Sequence, residues 1–405
     1  MTLLKNNLLL VMLRKLLFFL TFFITGVTLS AQKNVKSVFV SGEEGHKSYR
    51  IPAIIALPNG HLLAFAEGRV NHAGDFGDVN IVLKISKDKG ATWSKLQTVV
   101  DYDKLQAGNP APVVDLTDPE YPKGRIFLFY NTGNNHEGEV RKGNGYREVW
   151  YKTSVDGGNT WSDEVNITTQ VHRPYQPQIN PAYNFKEDWR SYANTPGHAM
   201  QFESGKYKGR IFVAANHSEG NPKPQFTDYF AHGFYTDDHG KTFHLSQTVN
   251  IPGSNESTAA PLSEGKLMMN SRNQRGDEKA RIVSISHDGG QTWHSSYLDK
   301  NLPDPVNEGS IIYIKIKKRK SVLAFCNAAD TKKRDNLTLH ISFDDGKTWK
   351  KKFVIDSNGK ADNAAYSDIV FLDKKTIGIL YEKENYARIV FTVVRWKRKT
   401  GTNKY

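Results

Sequence analysis

Cysteine is nearly absent: Cys326 is the one cysteine in 405 residues. A single thiol excludes an intramolecular disulfide, a cysteine-ligated zinc or iron–sulfur centre, and a lipid-bearing cysteine at a processing site. Stability has to come from the core. The 13 histidines include no H-E-x-x-H pair and no EF-hand pattern occurs, so neither a catalytic metal nor a cofactor is expected. Long amphipathic helical runs, Pro-rich or Ser-rich linkers, and any shift of composition beyond residue 35 are also missing, which favours one domain over a chain of modules. Gly233 followed by Gly240-Lys241-Thr242 superficially suggests a phosphate loop, but six residues separate the glycines where four are needed. That segment reads as a turn.

What is present is ordinary globular composition, 38% apolar and 24% charged, with a net charge of +13. The positive balance suits an anionic substrate or partner, although such an excess is more often a solvated surface, and nothing in it points to nucleic acid. Three of those charges, Lys5, Arg14 and Lys15, sit in an N-terminal segment unlike the rest. Leu16 to Leu29 is almost wholly apolar, follows Arg14 and Lys15, and precedes the small pair Ser30 and Ala31. The pattern predicts a secretory signal peptide over residues 1–31, with a domain over 32–405 that is exported and keeps no stable membrane insertion once the signal is removed. The run falls short of the roughly 20 apolar residues of a membrane-spanning helix. Met12 heads a cleaner version of the same signal and is an alternative start.

The rest of the chain repeats itself. Ser86-Lys87-Asp88-Lys89-Gly90-Ala91-Thr92-Trp93 recurs from Ser154 to Trp161, from Ser286 to Trp293 and from Ser342 to Trp349, and more loosely from Thr236 to Phe243. In S-x-D-x-G-x-T-W the Asp can bond turn amides, the Gly supplies a positive φ, and the aromatic anchors the loop against its sheet. Each copy follows a strand-like run such as Asn80 to Ile85, and further runs occur at Arg125–Tyr130, Arg210–Val213, Ser321–Phe325 and Arg388–Val394. Repeats separated by roughly 50 to 80 residues, with several short strands in each interval, predict an all-β chain: a six-bladed β-propeller of four-stranded antiparallel blades. Residues 35–41 are expected to supply a strand that closes the ring with the C-terminal blade, and the basic tail from Lys397 to fray.

Repeats of this kind serve several propeller families, so function rests on other motifs. Tyr49-Arg50-Ile51-Pro52 precedes Glu67-Gly68-Arg69 and Gly74-Asp75-Phe76-Gly77-Asp78; downstream come Ser254-Asn255-Glu256-Ser257, Asn270-Ser271-Arg272-Asn273, Arg334-Asp335-Asn336, Tyr366-Ser367-Asp368 and Leu380-Tyr381-Glu382. In order and spacing this resembles the exo-α-sialidase (neuraminidase) family, of bacterial secreted type with Asp-box repeats, over essentially the whole mature chain. The resemblance implies that Arg50, Arg272 and Arg334 grip a substrate carboxylate. Planar guanidinium groups do this with paired, charge-assisted hydrogen bonds. It implies Tyr366 as nucleophile, Glu256 as the base that takes its proton, and Asp75 as general acid and then base, with Asp78 as rival inside the same motif. Glu382 is implied as the carboxylate orienting Arg50, and Arg69 and Asp115 as pocket wall or contacts to substrate hydroxyls.

The chemistry is coherent. A phenol with a pKa near 10 is a weak nucleophile and needs a base, while a carboxylate nucleophile would be repelled by the substrate's own carboxylate. The implied activity is retaining hydrolysis of terminal α-linked sialic acids on glycoproteins, glycolipids or oligosaccharides. The alternatives are a non-catalytic sialic-acid-binding propeller and a trans-sialidase, intramolecular transfer included. Sequons at Asn255 and Asn336 fall inside the proposed site motifs, where a glycan would obstruct the pocket, which favours a secretion route without N-glycosylation.

Overall fold

The computed structural model describes residues 35–314 and 322–396. The expected signal peptide, Ser321 and the basic tail lie outside the described residues. Strands dominate, and the described residues form five hydrogen-bonded sheets: three of four strands, one of five and one of eight. The chain is an all-β propeller. The expected six separate blades are not what hydrogen bonding alone delivers, for an identifiable reason. Within the eight-stranded sheet, one parallel bridge between Val79 and Gln106 joins two groups that are otherwise antiparallel.

Burial explains the strand sequences. Leu62–Arg69 is buried at every position and reads as a continuous run, as a strand covered on both faces does. Lys351–Asp356, at the edge of its sheet, is mostly exposed or half-exposed and carries charge at Lys351, Lys352 and Asp356. Apolar clusters lie between successive groups of strands. One joins Ile54, Leu62 and Val82 near the N-terminus to Val370, Leu380 and Phe391 near the C-terminus, so the ring is closed by packing. Hydrogen bonds close it too: Lys36–Val40 pairs antiparallel with Arg388–Arg395, as expected for residues 35–41.

All five repeats adopt one turn. In the first, the Ser86 hydroxyl donates to Asp88 at 2.8 Å, and the Thr92 amide and hydroxyl donate to the same carboxylate at 2.9 and 2.5 Å. The same three donors serve Asp156, Asp238, Asp288 and Asp344. Gly90 has φ +88°, and a Cβ there would overlap the Phe391 ring. The aromatic position corrects the sequence expectation. Trp93, Trp161, Phe243 and Trp293 each pack on a phenylalanine of the preceding group of strands (Phe391, Phe65, Phe129 and Phe212), while Phe243 also meets Phe234 and Trp349 meets Phe325, each within its own group. Four of the five aromatics thus fasten one group of strands to the next.

Strand direction then sets where function can sit. Each repeat begins at the last residue of the third strand in its group, as at Val79–Ser86 and Ala280–Ser286. In an antiparallel group the start of the first strand and the end of the second therefore share the opposite end of the propeller.

Candidate active site

That opposite end holds a cleft of about 450 Å³, lined by Arg50, Arg69, Asp75, Glu256, Arg272, Arg334 and Tyr366 among others. Arg50, Glu256 and Tyr366 lie near the starts of first strands Ser48–Ala56, Ser254–Pro261 and Ala364–Asp373, whereas Arg69 and Arg272 lie at or near the ends of second strands. Pairing register shifts at each of these first strands, between Arg50 and Ala53, Ser254 and Ser257, and Ala364 and Ser367. A bulge adds a residue to one strand and re-aims its side chain. Ile51, next to Arg50, accordingly takes φ +58°.

Tyr366 sits at the centre. Its hydroxyl donates to Glu256 Oε1 at 2.5 Å and accepts from Arg272 Nη1 at 2.8 Å, and the same Nη1 lies 2.7 Å from Glu256 Oε2. Guanidinium carbons of Arg50 and Arg334 stand 5.3 and 5.4 Å from the Tyr366 ring centroid. Burial pushes the phenol's pKa well above its ordinary value and Glu256 adds to this, while the three arginines oppose it. The free site thus holds a neutral tyrosine whose proton already points at a carboxylate. Burial would lower the pKa of Arg50 and Arg272, but Glu382 at the first, and Tyr366 with Glu256 at the second, more than offset it, so both stay charged.

Glu382 lies behind this group. Its carboxylate accepts from Arg50 Nε at 2.6 Å and from the amides of Ile51 at 3.0 Å and Tyr366 at 3.2 Å. One acidic group therefore fixes both the arginine and the tyrosine backbone.

The Asp75 side is different. Its side chain is 72% exposed and held by Arg69 Nη1 at 2.8 Å. The crowding of the cleft mouth removes part of the water around Asp75 and pulls its pKa upward, but Arg69 and then Arg50 bring it below the ordinary carboxylate value. Asp78 does not line the cleft; it borders a separate depression with Tyr102 and Lys104. Of the two acids in the motif, the fold brings Asp75 to the site.

Asp115 requires a correction. It ends the ten-residue strand Gln106–Asp115, whose start is at the cleft, and about 3.3 Å per residue carries it to the far end. There it accepts from Thr117, Gln201 and His239 beside a repeat turn, with Asp118 and its partner Arg125 nearby. It is neither pocket wall nor hydroxyl ligand. The functional end of that strand is Asn109, whose amide donates to Glu67 Oε1 at 3.0 Å.

Glu67, Glu137, Glu308 and Tyr386 also belong to this end of the propeller, with no role expected from the motifs. Glu67 holds Arg69 through Oε2 at 2.8 Å. Glu137 accepts from Tyr229 and Ser191 in the cleft wall. Glu308, buried with its carboxyl pushed well up by that burial, accepts the Ser367 amide at 2.9 Å. The Glu67-Gly68-Arg69 motif carried a signal for the first; the others have none in local sequence.

Fold and cleft together define a β-propeller whose site is built to hold an anion beside a hydrogen-bonded tyrosine–glutamate pair. A family model described as a BNR repeat-like domain matches residues 60–379. The chain belongs to that family. It is 32% identical over 365 residues to a sialidase of Micromonospora viridifaciens, covering 85% of this chain and 51% of that protein. It is 28% identical over 384 residues to a sialidase of Bacteroides fragilis, covering 88% of this chain and 64% of that one. The chain thus spans about half to under two thirds of the length of these relatives. Among solved structures, the Hadza microbial sialidase Hz136 superposes with a TM-score of 0.75 at 25% identity, covering 89% of this chain and 68% of that one.

Proposed function

We propose that this protein is an exo-α-sialidase, a glycoside hydrolase that releases terminal α-linked sialic acids from glycoconjugates with retention. The observation that carries this is the closed group formed by Tyr366, Glu256 and Arg272 beneath Arg50 and Arg334; the sialidase names of the relatives point the same way. The three guanidinium groups bind the substrate carboxylate. Tyr366 attacks the anomeric carbon as its proton passes to Glu256, and Asp75 protonates the departing oxygen. In the second half Asp75 removes a proton from water, which displaces the tyrosine.

Arg50 contributes to the depression of the Asp75 pKa in the free site. A substrate carboxylate seated on Arg50 neutralises that influence, so binding itself raises the acid toward its protonated form. Incubation with a fluorogenic α-sialoside is the direct test: no release above background removes the hydrolase. Product analysis by mass and NMR separates free sialic acid from a transferred or anhydro sugar, the outcomes that a trans-sialidase would give. Binding without any product would make the protein a lectin-like propeller.

The same reading takes the propeller as six-bladed. The single parallel bridge in the eight-stranded sheet and the apolar clusters between successive antiparallel groups support that count. It also takes residues 1–31 as an export signal in front of one domain over 32–405, on the apolar run after Arg14 and Lys15. N-terminal sequencing of the periplasmic or secreted protein tests the signal: a mature chain that does not begin near residue 32 would overturn it.

A further inference from the structure

Two of the three arginines converge on a side chain outside the cleft lining. Arg334 Nη1 donates to the Tyr386 hydroxyl at 2.9 Å, and the Arg50 guanidinium lies 4.1 Å from the Tyr386 ring centroid. The hydroxyl in turn donates to Asp362 Oδ1 at 2.8 Å. Tyr386 thus meets Arg50 through its face and Arg334 through its edge.

The backbone that delivers it is unusual. Tyr386 lies in the connection between Thr376–Lys383 and Arg388–Arg395, where Glu384, Asn385 and Tyr386 have φ of +57°, +53° and +62°. Three successive left-handed residues, none of them glycine, persist only where the surroundings hold them. Here those surroundings are visible. The Glu384 and Asn385 amides donate to the carbonyls of Asn363 and Asp362 at 2.9 and 2.7 Å. Ser41 Oγ donates to the Tyr386 carbonyl at 2.8 Å, and Arg388 clamps the Glu384 carboxylate at 2.8 and 2.9 Å. Strain held this firmly next to a site is a mark of a built position.

We infer that Tyr386 is a positioning residue that sets the spacing of Arg50 and Arg334 and so tunes the site for a carboxylate. The inference rests on the sialidase reading for the identity of that carboxylate. Tyr386 touches no reacting atom; it acts through the two arginines. Tyr386→Phe keeps the ring beneath Arg50 and removes the hydroxyl that links Arg334 to Asp362.

The test compares wild type, Tyr386→Phe and Arg334→Ala on an α-sialoside and on its carboxylate methyl ester, reading KM and kcat separately. For Tyr386→Phe, KM for the acid rises about tenfold with kcat within about twofold, since a hydrogen bond to a charged group that serves binding is lost. The preference for acid over ester shrinks by the same factor. A merely structural defect moves both ligands together and leaves that preference intact, which would overturn the inference. If Arg334→Ala raises KM for the acid while Tyr386→Phe does not, Tyr386 has no such role and the sialidase reading stands. If Arg334→Ala leaves the acid's KM unchanged, the carboxylate grip itself fails and the inference falls with it.

Discussion

The two sides of the cleft are built to different standards. Tyr366, Glu256, Arg272, Arg50 and Glu382 sit on strands, are largely withdrawn from solvent and hold one another through hydrogen bonds of 2.5–3.2 Å. Asp75 sits between Gly74 and Gly77 with an exposed side chain, tied by an ion pair to Arg69. The first side is finished before substrate arrives, as electrostatic preorganisation demands. The second has an acid in its ionised form, and it becomes an acid only when its surroundings change. On the proposed reading, attack and protonation are therefore prepared at different times.

The largest effect that this contrast predicts is at the finished side. Tyr366→Phe removes the proposed nucleophile without disturbing its packing, and hydrolysis of a fluorogenic α-sialoside should fall by at least about 10³-fold. Near-normal turnover would remove the contrast altogether. At the other side, Asp75→Asn costs about 10²- to 10³-fold on a natural glycan, whose leaving oxygen needs a proton, and far less on an activated aryl sialoside. Equal losses on both substrates would show that Asp75 is not the acid.

A pH profile sharpens the same point. Arg69 keeps the Asp75 carboxyl below its ordinary pKa, so Arg69→Gln raises that pKa and the acid retains its proton to higher pH. The alkaline limb of kcat/KM then moves up in pH, whatever happens to its height. A shift downward would contradict the assignment.

The smallest effects belong to the end away from the cleft. Asp288→Ala in a repeat turn lowers Tm by about 2 °C and leaves kcat and KM alone. The five turn aspartates also predict an acid limit. Thr92 donors hold Asp88 down to about 2, and at Asp156, Asp238, Asp288 and Asp344 similar donors overcome the opposing influence of burial. A carboxylate depressed by folding stabilises fully above its unfolded pKa near 4, and that stability is lost as pH falls through the folded value. The contribution of the five turns, read as the difference in thermal melts between wild type and a variant with all five replaced by Asn, should be flat above about pH 4.5 and decline toward pH 2. The same replacement should lower Tm at pH 7.

Much of this was legible in the residues. The repeats gave the propeller because the same Ser, Asp, Gly and Thr recur where each third strand ends, and local hydrogen bonding dictates the turn. The motifs around Arg50, Glu256, Arg272, Tyr366 and Glu382 named side chains that the fold does bring together. Sheet count was not legible, since a lone bridge from Val79 to Gln106 depends on how two groups abut in space. Asp115 lies away from the cleft because the ten-residue strand that it ends begins at the cleft and runs the depth of the molecule, which the motifs do not reveal. Tyr386 gave no signal at all: its partners Asp362 and Arg334 are 24 and 52 positions away, and its left-handed backbone is fixed by carbonyls from another segment.

The strand Lys36–Val40 has a consequence in time. It belongs to the sheet made last, and Ser41 meets Tyr386 across 345 positions of chain. At about 5–20 residues per second, the N-terminal segment waits roughly 20–70 s during synthesis before its partner exists. The contact that seals the ring is also one that holds the turn beneath Arg50 and Arg334. A nascent or truncated chain that stops short of Arg388 therefore keeps Glu382 on Arg50 and carries the proposed nucleophile and base, yet lacks the strand that closes the ring on Lys36–Val40 and the clamp of Arg388 on Glu384. On the proposed reading, the turn that carries Tyr386 is fully held only once that closing strand is made.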